Sequence, residues 1–282
     1  MDPAVFCEAV LERFGTARQI TGSLSSASRL PGLTNRVFLL VAENGRFVLR
    51  VPRVEMAGRI DREAEWHDLQ MAADLGVTVR PLFGDPQSGV LLLPEVESNG
   101  ALTAEALGRC LAVLHGSPQG FRAHRDPLRY LGECEADAGQ VEPLPKELRS
   151  LCAGLRDLLV SVPDDGLVSC HFDLSPGNLL PQADHLLLID FEYAAMAHRA
   201  WDLAYAVLEN DFDAAQEVAL LTAYEAAGGV VPDSRTTCIY KLNCDVISAL
   251  WAFGQVRQGN AVADFRGFAS KRIQRALASG LI

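Results

Sequence analysis

The chain has 282 residues, 49% of them hydrophobic, and a formal net charge of -11, which allows one large core or two smaller ones and argues against a broad nucleic-acid footprint. Its seven cysteines are scattered and contain no CxxC pair, so neither a disulfide framework nor a zinc motif is expected. No apolar run reaches membrane-spanning length and the start has no basic n-region with an apolar h-region, so the expectation is a cytoplasmic protein with no membrane partner.

Apolar positions at Val5, Phe6, Ala9, Val10, Leu11 and Phe14 have helical spacing and predict a leading helix over 3–14. A strand is expected over Gln19–Leu24, a second over Val37–Val41 and a returning one over Phe47–Val51, with an Asn44-Gly45 turn between the last two. Between the first two strands, Gly32-Leu33-Thr34-Asn35 can lay backbone N–H groups over phosphates or can be an ordinary hairpin loop. A helix over Ile60–Leu75 contains Glu63 and Glu65, and strand-like pieces follow at Val79–Phe83 and Gly89–Leu93.

The polar stretch 94–100 marks a hand-over from a sheet domain to a helical one. Helices are expected over Thr103–His115, Leu148–Val160, Ala214–Ala227, Thr237–Gln258 and Phe265–Leu277, with another opening at Ala200. Residues 118–146, rich in Pro, Arg, Asp and Glu, give no clear element, and His115 has no ligand set around it and reads as structural.

The most informative stretch is Cys170–Ala194, CHFDLSPGNLLPQADHLLLIDFEYA. In phosphoryl transfer the attacking hydroxyl needs a carboxylate to receive its proton, and the phosphate charge needs a metal. Asp173 can be that carboxylate, with His171 two residues before it. Asn178 and Asp190 are hard oxygen donors suited to Mg²⁺. Leu186–Ile189 reads as a buried strand that holds Asp190 rigidly.

His-x-Asp, four residues, Asn, then a strand ending in Asp-Phe is similar to the catalytic signature of protein kinases, with Glu192 where those have Gly. Glu192 with Tyr193-Ala194, GLTN at 32–35 and VLRVP at 48–52 resemble the choline/ethanolamine kinase branch of the aminoglycoside-phosphotransferase-like kinases.

The resemblance implies an α+β, two-lobed protein-kinase-like fold: a nucleotide-binding lobe at 1–95, a hinge at about 94–100 and a catalytic and acceptor-binding lobe at 96–282. It implies ATP with Mg²⁺, and nucleotide contacts from Gly32, Thr34, Asn35 and Arg50, with Arg53 as rival to Arg50. Glu65 is the implied partner of Arg50 through Arg62-x-x-Glu65. Asp202 is implied to hydrogen-bond the catalytic-loop backbone.

The acceptor residues so implied are Asp173, Glu192, Tyr193, Glu209 and Trp251, with Trp201 or Tyr205 as further companions. Trp251 is expected to help cage a quaternary ammonium, although Ser248 stands where that family has a second tryptophan and a lone helical Trp also suits a core. The expected reaction is ATP-dependent phosphorylation of a small, cationic amino alcohol, choline or ethanolamine first, by a monomer or homodimer. Thiamine, an aminoglycoside or another alcohol is the alternative acceptor, and a non-catalytic nucleotide-binding regulator is the rival of a different class.

Overall fold

A computed structural model describes residues 2–53, 58, 60–139 and 143–282. Part of the unreadable stretch 118–146, residues 140–142, therefore lies outside the described residues. Packing divides the chain into two compact units, 1–102 with 177–194, and 103–176 with 195–282. The fold is α+β, as expected: a sheet with helices in the first unit and a mostly helical second unit. Among the described residues no helix is long and apolar enough to cross a membrane.

The first unit begins with α1 (Pro3–Arg13), whose N-terminus is capped by the Asp2 carboxylate accepting from the Ala4 N–H at 2.7 Å. Where a strand was expected over 19–24, the chain forms a second helix, α2 (Gly15–Thr21), and only then enters β1 (Leu24–Leu30). The β-branched Ile20 and Thr21 favoured the strand reading. Burial decided otherwise, because Ala17 and Thr21, four residues apart, are both buried.

β2 (Asn35–Ala42) and β3 (Gly45–Pro52) continue the antiparallel meander, and β4 (Phe83–Asp85) and β5 (Val90–Pro94) complete a sheet ordered β1-β2-β3-β5-β4. The strand expected over 79–83 is shorter and later, starting at Phe83. Phe38 pairs with Leu49 and Leu40 with Phe47, and these four join Cys7, Leu11 and Ala17 in one apolar core. Strand alternation then turns Arg50 to the opposite face of the sheet.

On that face lies α3 (Arg62–Asp74), capped by Asp61 accepting from the Ala64 N–H at 3.0 Å. The segment 177–194 adds a hairpin of β7 (Leu179–Pro181) and β8 (Leu186–Leu188), then a 3-10 turn at Phe191–Tyr193 that packs on α3. The Leu188 N–H donates to Val77 O at 2.8 Å, and the Asn99 and Gly100 N–H groups both donate to Pro181 O at 3.1 Å. A Cβ on Gly100 would sit 2.2 Å from Gln182 O, so this approach of the 97–100 linker to the hairpin needs glycine.

The second unit holds α4 (Ala104–His115), α5 (Pro127–Ala138), α6 (Lys146–Val160), α7 (Ala200–Glu209), α8 (Ala214–Ala226), α9 (Ser234–Arg257) and α10 (Phe265–Ala278). The 24-residue α9 is its axis, contacting α5, α6, α7 and α10. The helix α5 falls inside the stretch without a readable pattern. A small sheet pairs β6 (Val168–Cys170) with β9 (Ala195–Ala197). Beside it, Met196 donates its N–H to Ala123 O at 2.7 Å and accepts from the Arg125 N–H at 3.0 Å.

Candidate active site

In the first unit, Arg50 is 5% exposed and bridges two acids: one terminal nitrogen pairs with Glu65 Oε1 and Nη1 donates to Asp190 Oδ1 at 2.7 Å. Burial works against its charge, but Glu65, Asp190 and Glu192 together hold the guanidinium pKa above its ordinary value. Glu65 is buried on α3 while Glu63 is exposed. Arg53, the rival basic residue, donates instead to the carbonyl of Gly32 at 3.1 Å.

Asn178 and Asp190 are brought together by the β7–β8 hairpin. Leu179 pairs with Leu188, and one step further the Ile189 N–H donates to Asn178 O at 3.0 Å, which leaves Asp190 beside the start of β7. Asp190 has φ 66°, a left-handed conformation that Asp tolerates better than most residues and that turns the chain from β8 into the 3-10 turn.

Ligand atoms of Glu65, Asp190 and Glu192 lie within 4.8 Å of one another. Arg50 and Arg62 already neutralise that trio, so it is an ion-pair network. Of the trio, Asp190 alone has an appreciably exposed side chain, at 29%, and with Asn178 it offers hard-oxygen donors of the kind that suits Mg²⁺.

Glu192, expected beside the acceptor, is buried within the first unit instead. It accepts from Thr34 Oγ1 at 2.5 Å, Asn35 Nδ2 at 2.9 Å and Arg62 Nη1 at 3.2 Å. Both carboxylate oxygens are taken up in tying the loop before β2 to α3. The same bonds turn the Thr34 and Asn35 side chains inward, so any phosphate contact from 32–35 falls to backbone groups. Arg62, which also pairs with Glu65 at 2.7 Å, is the hub that sequence reading used only as a pattern neighbour. Its i,i+3 spacing to Glu65 was the available signal. Tyr193 is half-buried at the end of the 3-10 turn.

In the second unit the His171–Asp173 segment is held from several sides. Asp202, fully buried on α7, accepts from the His171 N–H at 2.7 Å and the Phe172 N–H at 3.0 Å, as expected of it. His115 lies between Asp202 Oδ2 (3.2 Å) and the Tyr224 hydroxyl (2.9 Å), the structural place foreseen for it. Trp201 Nε1–H donates to Phe172 O at 3.2 Å, and Asn210 Nδ2 donates to Leu174 O at 3.0 Å. Phe172 itself has φ 72°, which costs a bulky residue about 1–3 kcal/mol and persists only where the surroundings enforce it.

Trp201 is buried with its ring stacked on Phe172, centroids 4.6 Å apart, and so supports this loop rather than enclosing a ligand. Asp173 accepts from the Ser175 N–H at 3.4 Å, and its charge raises the pKa of both Tyr205 and Glu209, where burial is the larger cause. Glu209 is paired with Arg272 at 2.5 Å and lies 3.7 Å from Arg275. The Arg272 guanidinium sits 4.5 Å from the centroid of Phe268, whose ring meets Trp251 edge-on at 6.2 Å; Phe265 meets Trp251 similarly at 5.5 Å. Asp173 thus acts on Tyr205 and Glu209, and Glu209 is paired with Arg272, which lies over Phe268, the neighbour of Trp251; Tyr193 belongs to the other unit. Nothing in the sequence signalled Asn210 or Arg272.

A sheet unit with a buried Arg–Glu–Asp bridge and a helical unit with a clamped His-x-Asp loop define a kinase-like phosphotransferase. The sequence profile of the phosphotransferase enzyme family (APH) matches residues 26–240, and the chain belongs to that family. Protein LicA of Haemophilus influenzae is 29% identical over 194 residues, 64% of this chain and 57% of that protein, so the match spans little more than half of that relative. Choline kinase LicA from Streptococcus pneumoniae superposes with a TM-score of 0.83 at 26% identity, covering 97% of this chain and 98% of that one. A choline/ethanolamine kinase family protein from Mesorhizobium loti gives 0.79 at 28%, covering 97% and 93%.

Proposed function

We propose that the protein transfers the γ-phosphoryl group of ATP to the hydroxyl of a small cationic amino alcohol, choline or ethanolamine. The observation that carries this reading is the neighbourhood of Asp173 in the second unit. The carboxylate that would receive the hydroxyl proton acts electrostatically on a second acid, Glu209, and on the Tyr205 phenol. An amino alcohol has the two matching ends. Its hydroxyl would face Asp173 and its cationic nitrogen the Tyr205 and Glu209 side, where Asp173 adds negative charge. The likeness to LicA and to choline/ethanolamine kinases supports the same acceptor class.

In this reading Asp173 accepts the hydroxyl proton as the oxygen attacks the γ-phosphorus, and ADP leaves. Asn178 and Asp190 would hold Mg²⁺, which when bound screens the phosphate charge. Arg50, held by Glu65 and Asp190, would set their geometry and bring positive charge toward the phosphates. Residues 1–95 with the hinge at 94–100 serve the nucleotide and 96–282 the acceptor, with Asn178 and Asp190 returning to pack with the first unit.

The test is purified protein with MgATP and a panel of choline, ethanolamine, thiamine and an aminoglycoside, following ADP release and the phosphorylated product. Phosphocholine or phosphoethanolamine is expected, and Asp173→Asn should lose nearly all turnover. A kcat/KM for either amino alcohol far below that for another alcohol, or full turnover in Asp173→Asn, refutes the reading. Nucleotide binding without ADP release across the panel points to a non-catalytic regulator.

A further inference from the structure

Phe172 is one of three non-glycine residues at positive φ among the described residues, and it is the residue immediately before Asp173. Its φ and ψ therefore set the direction in which the Asp173 side chain leaves the backbone. A phenylalanine does not adopt this conformation unaided. On one side it is held by α7, through Asp202 on its N–H, Trp201 Nε1–H on its carbonyl and the Trp201 ring stacked under its own.

The other side is closed by residues of the stretch that gave no readable element. The Tyr130 ring stands edge-on to both Phe172 and Trp201, at 6.1 Å from each. The Arg125 guanidinium lies 4.4 Å from the Tyr130 centroid and 5.1 Å from that of Phe172. Arg125 is well anchored for this purpose. Its N–H donates to Met196 O at 3.0 Å, and Met196 lies in β9, the partner of the strand β6 that leads directly into His171. The guanidinium and the loop it touches are therefore registered to the same small sheet.

We propose that Arg125 is a positioning residue for the phosphoryl-acceptor step: lodged against Phe172 and Tyr130, it holds Phe172 in its left-handed conformation and so aims Asp173. The inference rests on Asp173 receiving the hydroxyl proton. A planar cation suits the place, because it presents a flat face to two rings at once, where an ammonium offers only a point charge. Asp202 fixes the backbone from the α7 side, and Arg125 prevents the Phe172 ring from lifting off Trp201 on the other.

Three variants, Arg125→Met, Arg125→Lys and Tyr130→Leu, test this by two independent readouts. The first is steady-state kinetics. For Arg125→Met kcat should fall about 10-fold, with KM for ATP and for the acceptor within about twofold of wild type, and Arg125→Lys should recover part of the loss. The second is hydrogen exchange of the peptide spanning 168–175, which needs no turnover. Exchange should quicken there in Arg125→Met and Tyr130→Leu and stay near wild type elsewhere.

Unchanged kcat and unchanged exchange in a folded Arg125→Met overturns the proposal. So does a loss spread evenly over kcat, both KM values and exchange throughout the second unit, since that marks a merely structural role. If Arg125→Met does not fold, Tyr130→Leu and Arg125→Lys decide by the same criteria. Should wild type phosphorylate no amino alcohol, the proposed acceptor fails, while localised loosening of 168–175 still supports the hold of Arg125 on Phe172 and its absence still refutes it.

Discussion

Arg50 Nη1 lies 2.7 Å from Asp190 Oδ1, on a guanidinium whose other terminal nitrogen is already paired with Glu65. One buried cation thus joins α3 to the end of β8, and both acids depend on it. Removing it by Arg50→Met leaves Glu65 with Arg62 alone, which should cost about 3–5 kcal/mol of stability in a denaturation experiment. Arg50→Lys keeps the charge without the fork, so it should fold and raise KM for ATP about 10-fold. A Lys variant with wild-type nucleotide affinity would show that the bridge from Glu65 to Asp190 does not govern nucleotide binding.

Glu192 tests whether its place is structural. Replacing it by Gln sets an amide NH₂ against donors on Thr34, Asn35 and Arg62, which should destabilise the protein by about 1–3 kcal/mol. The loop before β2 loosens, so KM for ATP should rise while the order of preference among acceptors stays as in wild type. A changed acceptor preference at unchanged stability would return Glu192 to the substrate side.

Asp202 accepts two backbone N–H groups and faces His115, so an Asn in its place must turn its NH₂ toward a donor. Asp202→Asn is expected to lose about 2–3 kcal/mol and to lower kcat far more than either KM, because the loop that carries Asp173 loses a fixed end. Chemical denaturation and initial-rate kinetics on the same preparation read both effects.

Burial raises the Glu209 pKa above its ordinary value of 4.5, with Asp173 adding to the rise, while Arg272 and Arg275 oppose it. On acidification Glu209 therefore takes up its proton earlier than a free glutamate would. KM for a cationic acceptor should climb as pH falls toward that range, and Glu209→Gln should flatten this limb. For stability the sign is opposite. A raised folded-state pKa favours the protonated form, so this group's stabilising contribution is full below the unfolded pKa and is lost as pH rises through the folded one. Acid should thus weaken acceptor binding through Glu209 without destabilising the fold through it.

The sequence already carried much of this geometry where the chemistry is local or the pattern dense. Asp173, Asn178 and Asp190 fall within eighteen residues, and the apolar run before Asp190 is indeed the buried β8. Glu65 was separable from Glu63 only through the family resemblance of Arg62-x-x-Glu65, not by spacing alone. The Glu192 bonds were not legible, because they join residues 130, 157 and 158 positions apart and no spacing encodes that. The segment 19–21 is helical rather than a strand because the i,i+4 pair Ala17 and Thr21 buries one helix face, which outweighs the branching of Ile20 and Thr21. The start of α5 has its own local signal: Asp126 accepts from the Arg129 N–H at 2.8 Å, with Pro127 at the first helical position.

The separation between Asn178 and Asp190 is set by the register of β7 on β8, not by the turn at 182–185 that joins them, which closes with its own bond from the Gln182 N–H to His185 O at 2.8 Å. Strand register moves only in whole residues of about 3.3 Å, and a single step reverses which way each side chain points. The pair therefore behaves as a gauge with one usable setting. Residues grafted into the turn should leave that setting alone, which makes 183–184 a place to install a reporter or tether on the first unit.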